Sequence, residues 1–175
     1  MSDGKEGIHI DAESLERLRL GAITAIDGLW FLAAEKQLGF EEALELDMNV
    51  WRAYGLVMLR RLAKAAGISL DPGNPPSLAT VNDLLVELCR IDGTECGWEM
   101  AGVDESTFVV HRCSWWDNLK RAGRSDLVPC EEVDNNTFRV WLAAVDPTLE
   151  MEIVKSLPRG DDSCRWVIRK RAEPC

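Results

Sequence analysis

The chain has 175 residues, of which 46% are hydrophobic, enough for one domain with an ample core. Asp and Glu number 30 against 20 Lys and Arg, leaving a formal net charge of −10 at pH 7. That balance argues against a nucleic-acid backbone or an anionic membrane as partner, since both repel an acidic surface.

The first seven residues, MSDGKEG, are polar and acidic, so no signal peptide is predicted, and residues 1–10 read as a flexible arm. The longest apolar run, Leu20 to Ala34, contains Asp27 and is too short to span a bilayer. A cytoplasmic location is expected. There the six cysteines stay reduced, as core residues, metal ligands or nucleophiles, rather than forming a disulfide framework.

Asp11 is a helix cap, and apolar residues recur at Leu15, Leu18, Ala22, Ile26, Leu29 and Ala33, the spacing of one helical face. Gly39 ends this helix. A second runs from about Glu41 to Ala66, with Leu44, Met48, Trp51, Leu56, Leu59, Leu62 and Ala63 on its apolar side. So short a turn makes the two helices antiparallel. Asp27, between Ile26 and Gly28 at mid-helix, is out of character there and reads either as an exposed carboxylate or as one aimed into a pocket. The connector SLDPGNPPS precedes a third helix, Leu78 to Ile91, capped by Ser77; Cys89 on it reads as a small core residue.

From Cys96 the period becomes alternating, and a β-hairpin is predicted with its second strand at Phe108 to Cys113. Helices follow at about Trp115 to Ala122 and, opened by Pro129, at Cys130 to Ala144. Strands at about Leu149 to Leu157 and Ser163 to Lys170 close the chain. The predicted class is α+β, with long N-terminal antiparallel helices packed on an antiparallel sheet carrying inserted helices. It forms one domain over 11–175, helical over 11–92 and cysteine-bearing over 96–171.

His111 and Cys113, two apart on a predicted strand, are expected on one face. Cys164 and Trp166 share a face of the last strand, and Cys130 opens a helix whose free N–H groups favour a thiolate. Three roles remain open. Cys113, Cys130 and Cys164 with His111 could hold zinc or another thiophilic metal, including an iron–sulfur centre. Cys130 could be a nucleophile with His111 or Asp134 as base, although Asp134, one turn away, would raise the thiol pKa. All three cysteines could equally be core residues. Arg124, with Lys120 and Arg121 nearby, could receive a ligand's carboxylate or phosphate, and Trp115, Trp116 and Trp166 could form an aromatic wall for it.

The succession DGLWFLAAE, ALELDMNVW, a strand ending in Cys113, PCEEVD and SLPRGDDSCRW resembles the L-2-amino-thiazoline-4-carboxylic acid hydrolase family, in a cytosolic branch of that group. The resemblance runs from about Asp27 to Ile168, with Cys113, Cys130 with Asp134, and Gly160 with Cys164 at matching places. It implies a fold like the four-vinyl-reductase and transport-particle domains, with an apolar pocket. It also implies a hydrolase that opens a cyclic C–N bond in a cysteine-related heterocycle. The expected function is therefore small-molecule binding in a three-cysteine pocket, hydrolytic in one version. The alternative is a non-enzymatic metal-binding or sensor module. The apolar helical hairpin also admits a homodimer.

Overall fold

The computed structural model describes residues 8–100 and 102–171. Asp11 caps α1 (Ala12–Leu38), its carboxylate accepting from the Ser14 backbone N–H at 2.7 Å. Gly39, at φ 96°, makes the one-residue turn into α2 (Phe40–Ala66), a conformation that a side chain would strain. α3 (Leu78–Ile91) starts at the Ser77 cap and ends at Asp92. β1 (Glu95–Met100) and β2 (Glu105–Arg112) form the hairpin, α4 (Ser114–Arg121) and α5 (Cys130–Val145) follow, and β3 (Leu149–Lys155) and β4 (Cys164–Lys170) complete the chain. Of the expected arm, residues 8–10 are exposed and 1–7 lie outside the described residues.

The four strands form one antiparallel sheet in the order β1-β2-β4-β3, so the class is α+β as predicted. Register places Cys96, Val110 and Cys164 in one row across the sheet, and Trp98, Phe108, Trp166 and Ile153 in the next. These rows face the helices. The opposite face carries ion pairs such as Arg165–Glu99 and Arg169–Glu150, as expected of a sheet with one solvated side. α3 is fixed on β2 by Asn82, fully buried, whose Nδ2 donates to Leu78 O at 2.7 Å and to Ser106 Oγ at 2.9 Å. α2 meets α5 at Gly55, where the Trp141 ring lies against the backbone and its Nε1 donates to Arg52 O at 3.2 Å.

Two helical faces behave differently. The apolar side read for α2 faces inward, with Leu59 and Ala63 buried and Leu44, Met48, Leu56 and Leu62 half-buried. The stripe read for α1 faces outward: Leu18, Ile26 and Leu29 are 60%, 70% and 71% exposed. The half-buried side of α1 is Leu20, Ile23, Thr24, Asp27 and Phe31, and no α1 residue is fully buried. Between Leu20 and Ala34 α1 is apolar almost all round, so spacing alone cannot tell which face the fold uses. Among the described residues no helix is long and apolar enough to cross a membrane.

Candidate functional site

Between α1, α2, α4, α5 and the sheet lies a cavity of about 260 Å³, walled mostly by hydrocarbon and aromatic rings. Asp27, Trp115, Trp116, Arg124, Asp134, Trp166 and the cysteines 113, 130 and 164 all line it. His111 does not. His111 is exposed on the far face of the sheet, while Cys113, still extended but beyond the last strand pair at Arg112, is the N-cap of α4. The two-residue alternation that would have put His111 beside Cys113 stops one residue too early.

Two of the three thiols are hydrogen-bond acceptors. Cys113 Sγ accepts from Trp116 N at 3.4 Å, and Cys164 Sγ accepts from Leu157 N at 3.3 Å. Burial, with the Asp134 carboxylate adding to it, pushes Cys113 up to about 12. Cys164 rises to about 11, again chiefly through burial. Cys130 is driven up further, by burial first and Asp134 second. This corrects the thiolate expected at the α5 N-terminus. Glu131 and Glu132 occupy that first turn, and the Cys130 N–H is already given to Val128 O at 2.8 Å, so little of the positive helix end reaches the sulfur. The metal expectation finds no support, and its histidine is displaced. Among the described residues no three His, Cys, Asp or Glu side chains stand together so as to hold a metal ion, and His111 is on the wrong side of the sheet.

Arg124 is also spoken for. Its Nη2 donates to Glu35 Oε1 at 2.7 Å, and the guanidinium lies 5.7 Å from the Phe31 ring centroid and 6.0 Å from that of Phe40. It ties the loop after α4 to the end of α1 rather than waiting for a ligand's anion. The neighbouring cations are engaged on the surface, Lys120 with Asp117 and Arg121 with Asn118.

Two carboxylates in the lining went unassigned in the sequence. Asp47 follows Ala43 and precedes Trp51 by four residues each, so it sits on the inward face of α2; that one-turn spacing was the available signal. Asp92 caps α3, and its Oδ1 accepts from Tyr54 OH at 3.0 Å. Asp27 meets Asp47 across the helix pair and accepts from Trp51 Nε1 at 2.9 Å, which settles the open reading of Asp27 in favour of the pocket. The Trp51 ring in turn packs edge-on against Trp115, centroids 4.7 Å apart.

Low dielectric disfavours the charged form of these groups. Burial, and then the Asp27 charge, raise Asp47 to about 7, while burial raises Asp27 itself. Burial also raises Asp92 to about 6 and Asp134 to about 7. Among the described residues no cation pairs with any of the four. Three buried polar atoms on lining residues lack any hydrogen-bond partner: Asp47 Oδ1, Thr137 Oγ1 and Trp166 Nε1. Such orphans are costly inside a protein.

Fold and site together define an α+β protein with an apolar internal cavity edged by carboxyls and protonated thiols. The chain belongs to DUF6125, described as a family of unknown function, which covers residues 16–170. No match is found among curated proteins. In structure the chain is similar to a trafficking protein particle complex subunit 3 from Naegleria fowleri, described as covalently bound to palmitic acid. The TM-score is 0.50 and the identity 14%, over 90% of this chain and 93% of that one. At that identity the likeness speaks for the fold alone.

Proposed function

We propose that this protein binds a small, mostly apolar molecule inside the cavity and holds it by a few fixed polar contacts. The observation that carries this reading is the set of orphaned atoms, Asp47 Oδ1, Thr137 Oγ1 and Trp166 Nε1, on residues that line one apolar space. A ligand with matching donors and acceptors relieves their desolvation cost. The fold neighbour, described as bound to palmitic acid, supports the idea that this architecture tolerates an apolar guest. The five described cysteines are all free, which suits a reducing compartment such as the cytoplasm.

The test is a thermal-shift screen of small aromatic and aliphatic molecules on the wild type and on Cys130→Phe, which narrows the cavity. A ligand at a hundred times its Kd adds about 2.7 kcal/mol to the wild type and distinctly less to the narrowed variant. Hits that stabilise both proteins equally, or no hits at all, refute the reading.

A hydrolytic version has one observation of its own. Asp134, about half-protonated near neutral pH, stands among Cys113, Cys130 and Cys164, as a general acid must. In that version water adds to the amidine carbon of a cyclic substrate, the ring C–N bond breaks, and Asp134 supplies the proton to the departing nitrogen. Because the thiols are protonated, water and not sulfur attacks. Ring opening of 2-amino-thiazoline-4-carboxylate that vanishes in Asp134→Asn supports it; an unchanged rate in that variant refutes it.

The outward stripe of α1 supports a homodimer. From Leu20 to Ala34 the single charge is Asp27, which points inward, leaving Ala22, Ala25, Ile26, Leu29 and Ala33 uncovered. Two copies packed antiparallel about Ile26 cover one another's stripes and set Glu16 of each beside Lys36 of the other. Light scattering is expected to show a dimer for the wild type and a monomer for Leu29→Glu. A wild type that stays monomeric at high concentration overturns this arrangement.

A further inference from the structure

The carboxyls and the aromatic rings of the cavity bear on what its guest must carry. This inference rests on the small-molecule reading above and narrows it. Four carboxyls line the space, Asp27 from α1, Asp47 from α2, Asp92 from the end of α3 and Asp134 from α5. Among the described residues Arg124 is the one cationic side chain in the lining, and Glu35 neutralises it. The Asp47 side chain is nine-tenths buried, and its Oδ1 has no donor. Beside it the faces and edges of Trp51 and Trp115 close one wall. A buried acceptor without a donor, carboxyls without cations and two indole rings beside them are together the surroundings in which a protonated nitrogen loses least on leaving water.

We propose that the cavity takes an apolar molecule bearing one cationic nitrogen, seated at the Asp27–Asp47 pair against Trp51 and Trp115, with the hydrocarbon body lying toward Phe138 and Trp166. A guest whose only charge is a carboxylate or phosphate is the wrong ligand, because it would enter a space of like charge whose guanidinium is already paired. A neutral guest of the same shape fills the apolar part but leaves Asp47 Oδ1 without a full counter-charge.

The experiment compares three probes of matched size, 3-phenylpropylammonium, 3-phenylpropan-1-ol and 3-phenylpropanoate. Binding is measured by calorimetry and tryptophan quenching at pH 7.5 on the full chain and on Asp47→Asn and Asp27→Asn. The ammonium is expected to bind about tenfold or more tightly than the alcohol, and the alcohol more tightly than the carboxylate. In each Asn variant the ammonium is expected to lose about tenfold while the alcohol stays within about twofold. An alcohol or carboxylate that binds as well as the ammonium overturns the charge assignment and leaves the cavity reading standing. So does an Asn variant that weakens all three alike. If none of the three binds, both readings fall.

Discussion

Between pH 8 and pH 5 the wild-type protein is expected to gain about 3 kcal/mol or more of folding stability. The cause is the set of inward carboxyls whose folded-state pKa lies above the unfolded value of 3.8: Asp47 and Asp134 at about 7, Asp92 at about 6, and Asp27 shifted the same way. A carboxyl whose pKa is raised by folding binds its proton more tightly in the native state. Its contribution is fully present below the unfolded pKa and is lost as the pH climbs through the folded value, here from about 6 to about 7. For Asp134 alone the difference between pH 5 and pH 8 amounts to about 2–3 kcal/mol. Exposed carboxyls with lowered pKa values, such as Asp11 and Asp162, act in the opposite sense, but only below their unfolded values. A maximum near pH 5 follows. Asp134→Asn keeps the shape of the side chain and removes the charge, so it is expected to raise stability at pH 8 by about 2–3 kcal/mol and to flatten the slope. Urea melts at pH 5, 6.5 and 8 on both proteins measure this. A wild type more stable at pH 8 than at pH 5 would contradict the burial of these groups.

Gly55→Ala is expected to destabilise the protein by about 2–3 kcal/mol, with a fall in Tm of roughly 5–10 °C. On helix propensity alone the change should help by about 1 kcal/mol, because glycine is a poor residue inside a helix. At this position, however, a Cβ would lie 1.9 Å from Trp141 Cε2 and 2.1 Å from its Nε1. The indole is 4% exposed, tilted against Phe138 at 4.6 Å and tied to Arg52 O, so it has no empty space to move into other than the cavity it also lines. The sign of the effect is therefore the test. Trp141→Leu in the same chain is expected to relieve the clash, so that adding Gly55→Ala to it costs little further. A stabilised Gly55→Ala single variant would mean that α2 and α5 are not packed at this distance.

The helices were legible because their signals are local. Asp11, Ser77, Gly39 and Gly67 cap or stop them within a turn of where the structure does, and α3 runs from Leu78 to Ile91 as predicted. The hairpin was legible from its alternation, and the three cysteines of the second half, with Asp27, Asp134, Trp115, Trp116 and Trp166, do converge on one cavity. What failed did so at element ends and between elements. Cys113, expected at the end of a strand, is the cap of α4 with its thiol turned to Trp116 N, while His111 keeps the outer face of β2. At Cys130 the helix end favours a thiolate, but Glu131 and Glu132 oppose its field and burial governs.

Composition and local pattern by themselves determined the acidic character of the chain, the α+β class, the limits of the long helices and the residues from which a pocket would be drawn. Each depends on interactions within a few residues, or on sums over the whole chain. Only the tertiary structure decided which apolar face of α1 turns inward, that Arg124 is bound to Glu35 some ninety residues away, and that Asp27 meets Asp47 beneath Trp51. It also decided the protonation of the thiols and carboxyls. A pKa reports desolvation and the charges nearby in space, and neither exists until distant segments of the chain have packed around the group.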